Sequence, residues 1–238
     1  MKQVTADLHN HSCLSPCASL EMSPLALVRE AKKQGIDILA LTDHNSTRNL
    51  PAFLSCCRQH EIQPVFGLEV TTIEEVHIVC LFESLVSAQQ FGDFVEKLLP
   101  DIPNMPDLFG DQVIVDAREN VLGFVAISLL SASSLSFEDV IEEVLSRDGL
   151  VIPAHIDRMA FSAVSQLGFL PDLSYSAVEV VQFPCRYPTH DNTLITNSDA
   201  HYLEAVGRRS FSYSAADTSY QALREALYGN RVTINQKA

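Results

Sequence analysis

Short apolar runs alternate with amphipathic segments along most of this chain. The apolar runs predict strands at 4–8, 36–41, 65–70, 76–82 and 149–153, with weaker ones at 178–181, 193–196 and 232–234. Apolar positions at helical spacing predict helices at 52–60, 87–98, 136–146 and 220–228. Another helix is predicted after Ser23 and Pro24, a favoured N-cap and first helical residue, and it ends at Gly35.

This order of elements predicts the architecture. The run at 36–41 is apolar at nearly every position, which is typical of a parallel strand buried on both faces. Alternating strands and helices predict a parallel α/β fold, in which the carboxyl ends of the strands build the site. Because no linker or charge block divides the 238 residues, we expect one domain over residues 1–238, with an inserted loop and hairpin around 98–135.

Charge and cysteine usage narrow the classes of function. The formal net charge is −14, from 16 basic and 30 acidic residues, and this weighs against a protein that grips long nucleic acid through basic stripes. The six cysteines form no Cys-x-x-Cys pair, so most are expected to be reduced and buried. With no signal peptide and no apolar stretch that would span a bilayer, we expect a soluble cytoplasmic protein.

Histidine and carboxylate residues gather in six short clusters, at 7–12, 42–45, 67–69, 75–77, 153–157 and 197–201. Of the eight histidines, His60 and His190 alone lie outside these clusters and are interpreted as structural. Five clusters follow the ends of predicted strands, whereas His77 lies near the start of its strand. Imidazole and carboxylate are the ligands that divalent metals such as zinc and manganese prefer. The sequence therefore predicts that separate strands bring metal ligands together at one end of the sheet.

The ordered motifs Asp-Leu-His-x-His-Ser, Thr-Asp-His-Asn, Gly-x-Glu, Pro-Ala-His and Asn-Ser-Asp-Ala-His resemble those of the PHP superfamily, the polymerase and histidinol phosphatase domains. The resemblance spans residues 7–201 and is closest in kind to the stand-alone metal-dependent phosphoesterases. It implies a distorted (β/α)7 barrel with its metal site at the C-terminal ends of the strands. It also implies two or three divalent metal ions, zinc, manganese or iron, and the hydrolysis of phosphate esters.

The same resemblance implies how the metal ligands are shared. One metal would be held by four residues that also act catalytically through its bound water: His9, His11, Glu69 and Asp199. Glu69 would bridge to a second metal, held also by His77 and His155. A third metal would be held by His44 and His201.

The third site departs from the pattern that the resemblance implies. Relatives place an aspartate, or a histidine one position later, just after the first motif, where this chain has Pro16 and then Cys17. A thiolate is a sound zinc ligand, so Cys17 is the candidate. The alternative is a buried or capping cysteine beside an incomplete third site, since a thiolate favours softer metals than manganese or magnesium.

Further residues are expected to support the metals and the substrate. Asp7 and Asp43 lie next to ligand histidines in sequence and are expected to orient imidazoles. Arg158 follows Pro-Ala-His-Ile-Asp and is the candidate for substrate binding, because a guanidinium fork matches two phosphate oxygens. Taken alone, it is equally consistent with a solvated surface charge.

These features predict a metal-dependent phosphoesterase that acts through a metal-bound hydroxide. Its substrate would be a phosphate ester of a small metabolite, a nucleotide or an oligonucleotide end. The acidic surface favours a small phosphorylated substrate, with no long nucleic-acid clamp and no membrane partner. Two alternatives stay open: a non-catalytic metal-binding domain with a regulatory or structural role, and an amidohydrolase-type enzyme on the same metal barrel.

Overall fold

The computed structural model describes residues 1–236. Within that range the strands are β1 Lys2–Asp7, β2 Ile38–Leu41, β3 Gln63–Thr71, β4 His77–Phe82, β5 Val113–Val115, β6 Val121–Phe124, β7 Leu150–Pro153, β8 Val178–Glu179, β9 Leu194–Ile195, β10 Arg209–Ala215 and β11 Thr233–Gln236. The helices are α1 Pro24–Lys33, α2 Leu50–His60, α3 Leu85–Glu96, α4 Pro106–Phe109, α5 Phe137–Ser146, α6 Ala163–Leu167 and α7 Tyr220–Tyr228, with a 3₁₀ turn at Leu203–Ala205.

Seven strands form one curled sheet, a half-barrel, in the order β11-β10-β1-β2-β3-β4-β7. Strands β1, β2 and β3 are parallel, but β4 runs antiparallel to β3 and β10 runs antiparallel to β1. The α/β class is confirmed, whereas the predicted distorted (β/α)7 barrel is not, since the sheet is a half-barrel with antiparallel strands. The reason lies in the connection between β3 and β4, because a parallel crossover needs a dozen or more residues and residues 72–76 are too few.

The antiparallel direction of β4 places its first residue at the functional edge of the sheet. His77 pairs in register with Thr71, the last residue of β3. A residue at the start of β4 therefore lies at the same edge as residues that follow the ends of the parallel strands. This explains why His77 lies near the start of its strand in the sequence and still reaches the site.

The sheet is buried on both faces, as the continuous apolar run of β2 predicts. Leu39 and Leu41 pack in the larger core cluster with α1, α2, α3 and α5, whereas Ile38 and Ala40 pack in the second cluster with α7. Successive side chains of a strand point to opposite faces, so a strand covered on both sides is apolar throughout. Helix α1 begins as predicted, since the Ser23 hydroxyl accepts the Ala26 N–H at 3.0 Å.

A small parallel sheet of β8 and β9 lies between the end of β7 and the end of β1. It meets the β7 side through Ile156 N–H, which donates to the Glu179 carbonyl at 2.9 Å. Past β9, the Asp199 N–H donates to the His9 carbonyl at 2.8 Å, and His11 N–H donates to the Ala200 carbonyl at 3.0 Å. These bonds carry residues 179 and 199 to the end of β1, where the first histidine motif lies.

The region around 98–135 contains a hairpin of β5 and β6 and also α4, a short helix that the sequence did not predict. The side chain of Gln112 holds it together by donating to the Val125 and Ile127 carbonyls at 2.9 and 2.6 Å and accepting the Leu129 N–H at 2.8 Å. Within residues 1–236, no helix combines the length and the apolar character needed to cross a membrane.

Candidate metal centre

The structure brings the six sequence clusters to one edge of the sheet. His9 and His11 follow β1, His44 follows β2, and Glu69 lies near the end of β3. The remaining members come from the start of β4, the end of β7 and the end of β9: His77, His155, Asp199 and His201. All are buried except His201, which is half-buried. Their proximity is thus a property of the fold, while their roles as metal ligands stay predictions.

The first predicted ligand set is compact. His9 Nε2 lies 3.3 Å from His11 Nε2, 3.2 Å from Glu69 Oε1 and 3.4 Å from Asp199 Oδ1. His11 Nε2 lies 3.3 Å from both Glu69 Oε2 and Asp199 Oδ1. Four tetrahedral ligands at about 2.0–2.1 Å from a zinc ion lie about 3.3–3.4 Å from one another, so these donor spacings fit a bound divalent cation.

Unpaired acceptors in the same set also fit a cation. Asp199 Oδ1 is buried and accepts no hydrogen bond. His9 Nδ1 faces the carboxylate of Glu179 at 3.0 Å and therefore carries the proton of a neutral ring, which leaves the lone pair of Nε2 towards Glu69 and Asp199. Lone pairs and carboxylate oxygens at such distances repel unless a proton or a cation lies between them. The residues present therefore suit a divalent metal.

Glu69 joins the first set to the second. Its Oε1 atom lies 2.9 Å from His77 Nδ1 and 3.2 Å from His155 Nε2, the two residues predicted to share the second metal with it. Its Oε2 atom lies 3.2 Å from His44 Nδ1. A carboxylate whose two oxygens face different imidazoles has the arrangement of a bridging ligand.

The predicted third set is partly assembled. Ring nitrogens of His11, His44 and His201 lie within 4.8 Å of one another, which makes a group of three candidate ligands. Cys17 lines a cavity together with His44 and His201. It belongs to none of the close groups of candidate ligands among the described residues. Cys17 is an exposed residue, and partial burial of its thiol together with the negative charge of Glu69 raises the pKa of that thiol to about 12. Its role as a ligand is untested and stays a prediction.

Asp43 orients a different histidine from the one expected. Its carboxylate accepts the Ser12 N–H and hydroxyl and the Ser15 hydroxyl, at 2.6–2.7 Å. Ser15 Oγ in turn lies 3.0 Å from His11 Nδ1 and accepts the His44 N–H at 3.1 Å. Asp43 therefore acts through Ser15 on the imidazole of His11 and on the backbone of His44.

Asp7 supports the backbone rather than an imidazole. Its carboxylate accepts the Ser198 N–H at 3.0 Å and the Gly207 N–H at 3.3 Å. Burial raises its pKa to about 6, although these bonds act in the opposite direction. Asp7 thus fastens the end of β1 to the turn that carries Asp199. In the same way Asp157 accepts the N–H groups of Val181 and Gln182, not a proton of His155.

Glu179 is a site residue that the sequence reasoning missed. It is 2 % exposed, and its Oε1 and Oε2 lie 3.2 and 3.0 Å from His9 Nδ1. It also accepts the Asn197 side-chain amide at 2.7 Å and the His155 N–H at 3.2 Å. A lone carboxylate inside the apolar run at 177–181 was the signal, since a charged residue there must have a buried partner.

Burial and charge act in opposite directions on the pKa values of the site. Burial alone lowers the pKa of His9, but the carboxylates of Glu69 and Glu179 outweigh it and raise that pKa well above its usual value. Burial likewise disfavours a charged His11, while Asp199 and Glu69 raise its pKa to about 9. For Glu69 and Asp199, burial favours the neutral acid, and the imidazoles nevertheless hold each pKa well below its usual value. The carboxylates therefore favour a positive charge beside His9 and His11, either from a second ring proton or from a bound cation, whereas burial lowers the pKa values of His44, His77 and His201.

Several site residues adopt left-handed backbone conformations. Asn45, His155, Phe161 and Asp199 have φ values of 49°, 30°, 56° and 48°. Such conformations cost about 1–3 kcal/mol each for residues other than glycine and persist where surrounding contacts over-determine them. At Asn45, His155 and Asp199 the chain turns sharply after a strand end, and this turn aims side chains of the motifs inwards.

The ligand cluster opens through a cavity of about 280 Å³. Arg158 lies at its mouth, 42 % exposed, with Nη1 2.6 Å from Asp199 Oδ2. Phe161 also lines the mouth and stacks on His77, with ring centroids 4.7 Å apart. His60 and His190 do not line this cavity, and His190 Nε2 lies 3.0 Å from the Leu170 carbonyl instead. The placement of Arg158 suits the predicted contact with a substrate phosphate, which is untested.

Comparison with protein families matches residues 7–161 to the PHP domain. That match covers more than half of the chain and includes all the predicted ligands except Asp199 and His201. Among curated relatives, the PolC-type DNA polymerase III of Thermotoga maritima is 33% identical over 66 residues, which are 28% of this chain and 5% of that protein. The chain thus spans about one twentieth of the relatives that it matches, and the single-domain organisation stays a prediction.

Solved structures share the fold over nearly the whole chain. The lesion-specific endonuclease Q of Pyrococcus furiosus superposes with a TM-score of 0.71 at 19% identity, covering 98% of this chain and 58% of that one. A two-domain protein of Bacteroides vulgatus that contains a predicted PHP-like metal-dependent phosphoesterase gives 0.60 at 17% identity, covering 99% and 65%.

A further structure corrects the expected kind of substrate. Endonuclease Q in complex with a 27-mer duplex, with an abasic lesion at its active site, gives a TM-score of 0.69 at 18% identity, covering 96% of this chain and 57% of that one. The expectation of a small phosphorylated substrate, with no nucleic-acid clamp, is therefore wrong as an inference from charge. A net charge of −14 averages over the whole surface and does not describe the mouth.

Proposed function

The chain belongs to the PHP domain family, and we propose that it is a metal-dependent phosphoesterase that cleaves a phosphate ester bond in nucleic acid. The observation that carries the proposal is the convergence of five buried imidazoles on Glu69, with donor spacings that suit a divalent cation. A structural metal site is closed by its four ligands, whereas this cluster opens into a cavity.

Each residue of the site has a definable task in such a reaction. Divalent cations held by the cluster would lower the pKa of water and neutralise charge on the phosphate. Glu179 keeps the proton of His9 on Nδ1, so that Nε2 faces the cluster. Ser15 and Asp43 fix the ring of His11 in the same manner. Arg158 offers a guanidinium fork to the non-bridging phosphate oxygens at the mouth.

The comparisons favour nucleic acid as the substrate class. Endonuclease Q and the PolC-type polymerases, two groups with which the chain has similarity, both act on DNA by name. The mouth cavity, of about 280 Å³, has room for one nucleotide unit beside the ligand cluster. We infer that the substrate phosphate enters at a strand end, a lesion or another place where a nucleotide leaves the stack.

Elemental analysis of the purified protein, followed by hydrolysis assays with and without chelator, tests this function. The assay panel contains oligonucleotides that are intact, abasic or terminally phosphorylated, together with simple amides. We expect bound metal and chelator-sensitive cleavage of phosphate esters. The variants His9→Ala and Asp199→Ala should reduce cleavage to background while circular dichroism stays unchanged, and His60→Ala is the matched control outside the site.

Three results would overturn the proposal. Tightly bound metal without turnover would favour a non-catalytic domain. Turnover of amides but not of phosphate esters would favour an amidohydrolase. Unchanged cleavage in His9→Ala or Asp199→Ala would mean that the reaction takes place elsewhere.

A further inference from the structure

Phe161 presents an aromatic face at the entrance to the site. One face of its ring stacks on His77, with an interplanar angle of 15°. The side chain nevertheless remains 43 % exposed, and it lines the mouth beside Arg158. Met159, 97 % exposed, precedes it on the same loop. An aromatic ring that is backed by a buried imidazole and open on its outer side is a surface on which another ring can stack.

The backbone of Phe161 adopts a left-handed conformation, and hydrogen bonds of the same loop hold it there. Phe161 has φ of +56°, a conformation that is rare for a bulky residue. Its carbonyl accepts the His77 N–H at 3.0 Å, and the Ser162 hydroxyl donates to the Arg158 carbonyl at 2.8 Å. A loop closed at both ends in this way fixes Phe161 and Arg158 relative to each other. Strain kept at the rim of a site indicates that the position of the side chain matters for binding.

We propose that Phe161 is the stacking platform for the nucleobase next to the phosphate that is cleaved, while Arg158 contacts that phosphate. The inference rests on the proposed function and adds a base subsite to it. Every nucleobase has a π-face, so such a platform binds bases without reading their sequence.

Stacking also suits the lining of the mouth. Among the described residues that line the cavity, Arg158 is the one lysine or arginine. A stacked base contributes affinity through contact area rather than through positive charge. Phe161 would therefore add to the hold that Arg158 has on a nucleotide.

The test compares Phe161→Leu and Phe161→Trp with the wild-type protein. Phe169→Leu is the matched control, because Phe169 is 63 % exposed and does not line the cavity. Short oligonucleotides carry either 2-aminopurine or an abasic sugar beside the cleaved phosphate. Stopped-flow fluorescence records the quenching of 2-aminopurine before product forms, and steady-state assays give kcat and KM for both substrates. Metal content is measured for every variant.

We expect Phe161→Leu to lose the quenching and to raise KM for the base-containing substrate about 5- to 150-fold relative to the abasic one, the range that corresponds to loss of one stacked base. Phe161→Trp should retain the quenching, and Phe169→Leu should behave like the wild type. Equal quenching in Phe161→Leu, or an equal change of KM on both substrates, would overturn the base subsite even if cleavage proceeds. Cleavage that fails on every substrate while quenching depends on Phe161 would instead contradict the hydrolase and leave the subsite supported.

Discussion

Glu69 is the residue on which the whole site depends. Its two oxygens lie within 2.9–3.3 Å of ring nitrogens from His9, His11, His44, His77 and His155. In the sequence it is one glutamate in a Gly-x-Glu motif, and the motif gives no sign that five imidazoles converge on it. The geometry follows from the position of Glu69 on β3, which has β2 on one side and β4 on the other.

The residues around the predicted ligands were harder to identify from the sequence than the clustered histidines and carboxylates themselves. Metal ligands share a chemistry and occur in short motifs, so they stand out from the sequence. Glu179 and Ser15 act through hydrogen bonds to those ligands, and glutamates and serines are common for many other reasons. Their roles become visible when the fold places them against His9 and His11.

Glu179→Gln is predicted to weaken metal binding about 10- to 100-fold, the usual effect of altering a residue that orients a ligand. The amide keeps the shape of the side chain but no longer holds the Nδ1 proton of His9 with a full negative charge. Competition with a chromophoric chelator measures the affinity. The control is Glu142→Gln, because Glu142 is an exposed glutamate on α5. Equal affinities in both variants would show that Glu179 does not orient His9.

Cys17→Ser is predicted to lower the metal content by about one ion per chain if the thiol completes a third site. A serine hydroxyl is a much weaker ligand, while the change in volume is small. Elemental analysis after dialysis gives the stoichiometry, and Cys185→Ser serves as the control because Cys185 does not line the cavity. An unchanged stoichiometry would mean that His11, His44 and His201 hold the ion without a thiol.

At the level of elements, the sequence predicted where strands occur better than how they run. The turn between β3 and β4 carries no sign of direction except its short length, and that length excludes a parallel crossover. Strand β10 was missed although Phe211, Tyr213 and Ala215 alternate with serines, the usual pattern of a half-buried strand. The serines weakened its apolar signal. The sequence therefore missed β10 and predicted the wrong direction for β4.

Asn45 connects three elements beneath the site. Its side-chain amide donates to the carbonyls of Leu129 and Ser131 at 2.9 and 3.0 Å, and its Oδ1 accepts the Thr71 N–H at 3.0 Å. It is fully buried and has φ of 49°, which asparagine tolerates better than most residues. Asn45 thus fastens the end of the inserted region to β3, directly after His44.

Asn45→Ala is predicted to lower the free energy of unfolding by about 2–4 kcal/mol, because buried groups lose their partners and alanine disfavours this backbone conformation. Urea denaturation followed by circular dichroism measures the change. The control is Gln90→Ala, at an exposed position of α3, where a change of about 0.5 kcal/mol or less is expected. A similar loss in both variants would argue that Asn45 does not anchor the inserted region.

At the scale of the molecule, net charge proved a poor guide to the substrate. Several of the 30 acidic residues, among them Glu69, Glu179 and Asp199, lie buried around histidines and do not repel a ligand at the surface. Endonuclease Q shares the fold but is longer, since this chain covers 57–58% of it. The remainder of endonuclease Q adds surface that has no counterpart in this chain, so the net charge of this chain cannot be compared directly with that protein. The residues that line the mouth therefore bear on the substrate more directly than the net charge does.

Salt dependence reports how many substrate phosphates a protein neutralises. Each neutralised phosphate contributes about −0.7 to −0.9 to the slope of log affinity against log salt concentration. Among the described residues, Arg158 is the one lysine or arginine that lines the mouth cavity, so we predict that Arg158→Gln makes the slope of kcat/KM in potassium chloride shallower by about one phosphate on oligonucleotide substrates. Arg118→Gln, at an exposed position of the hairpin, should leave the slope unchanged. An unchanged slope in Arg158→Gln would show that this guanidinium does not neutralise a substrate phosphate.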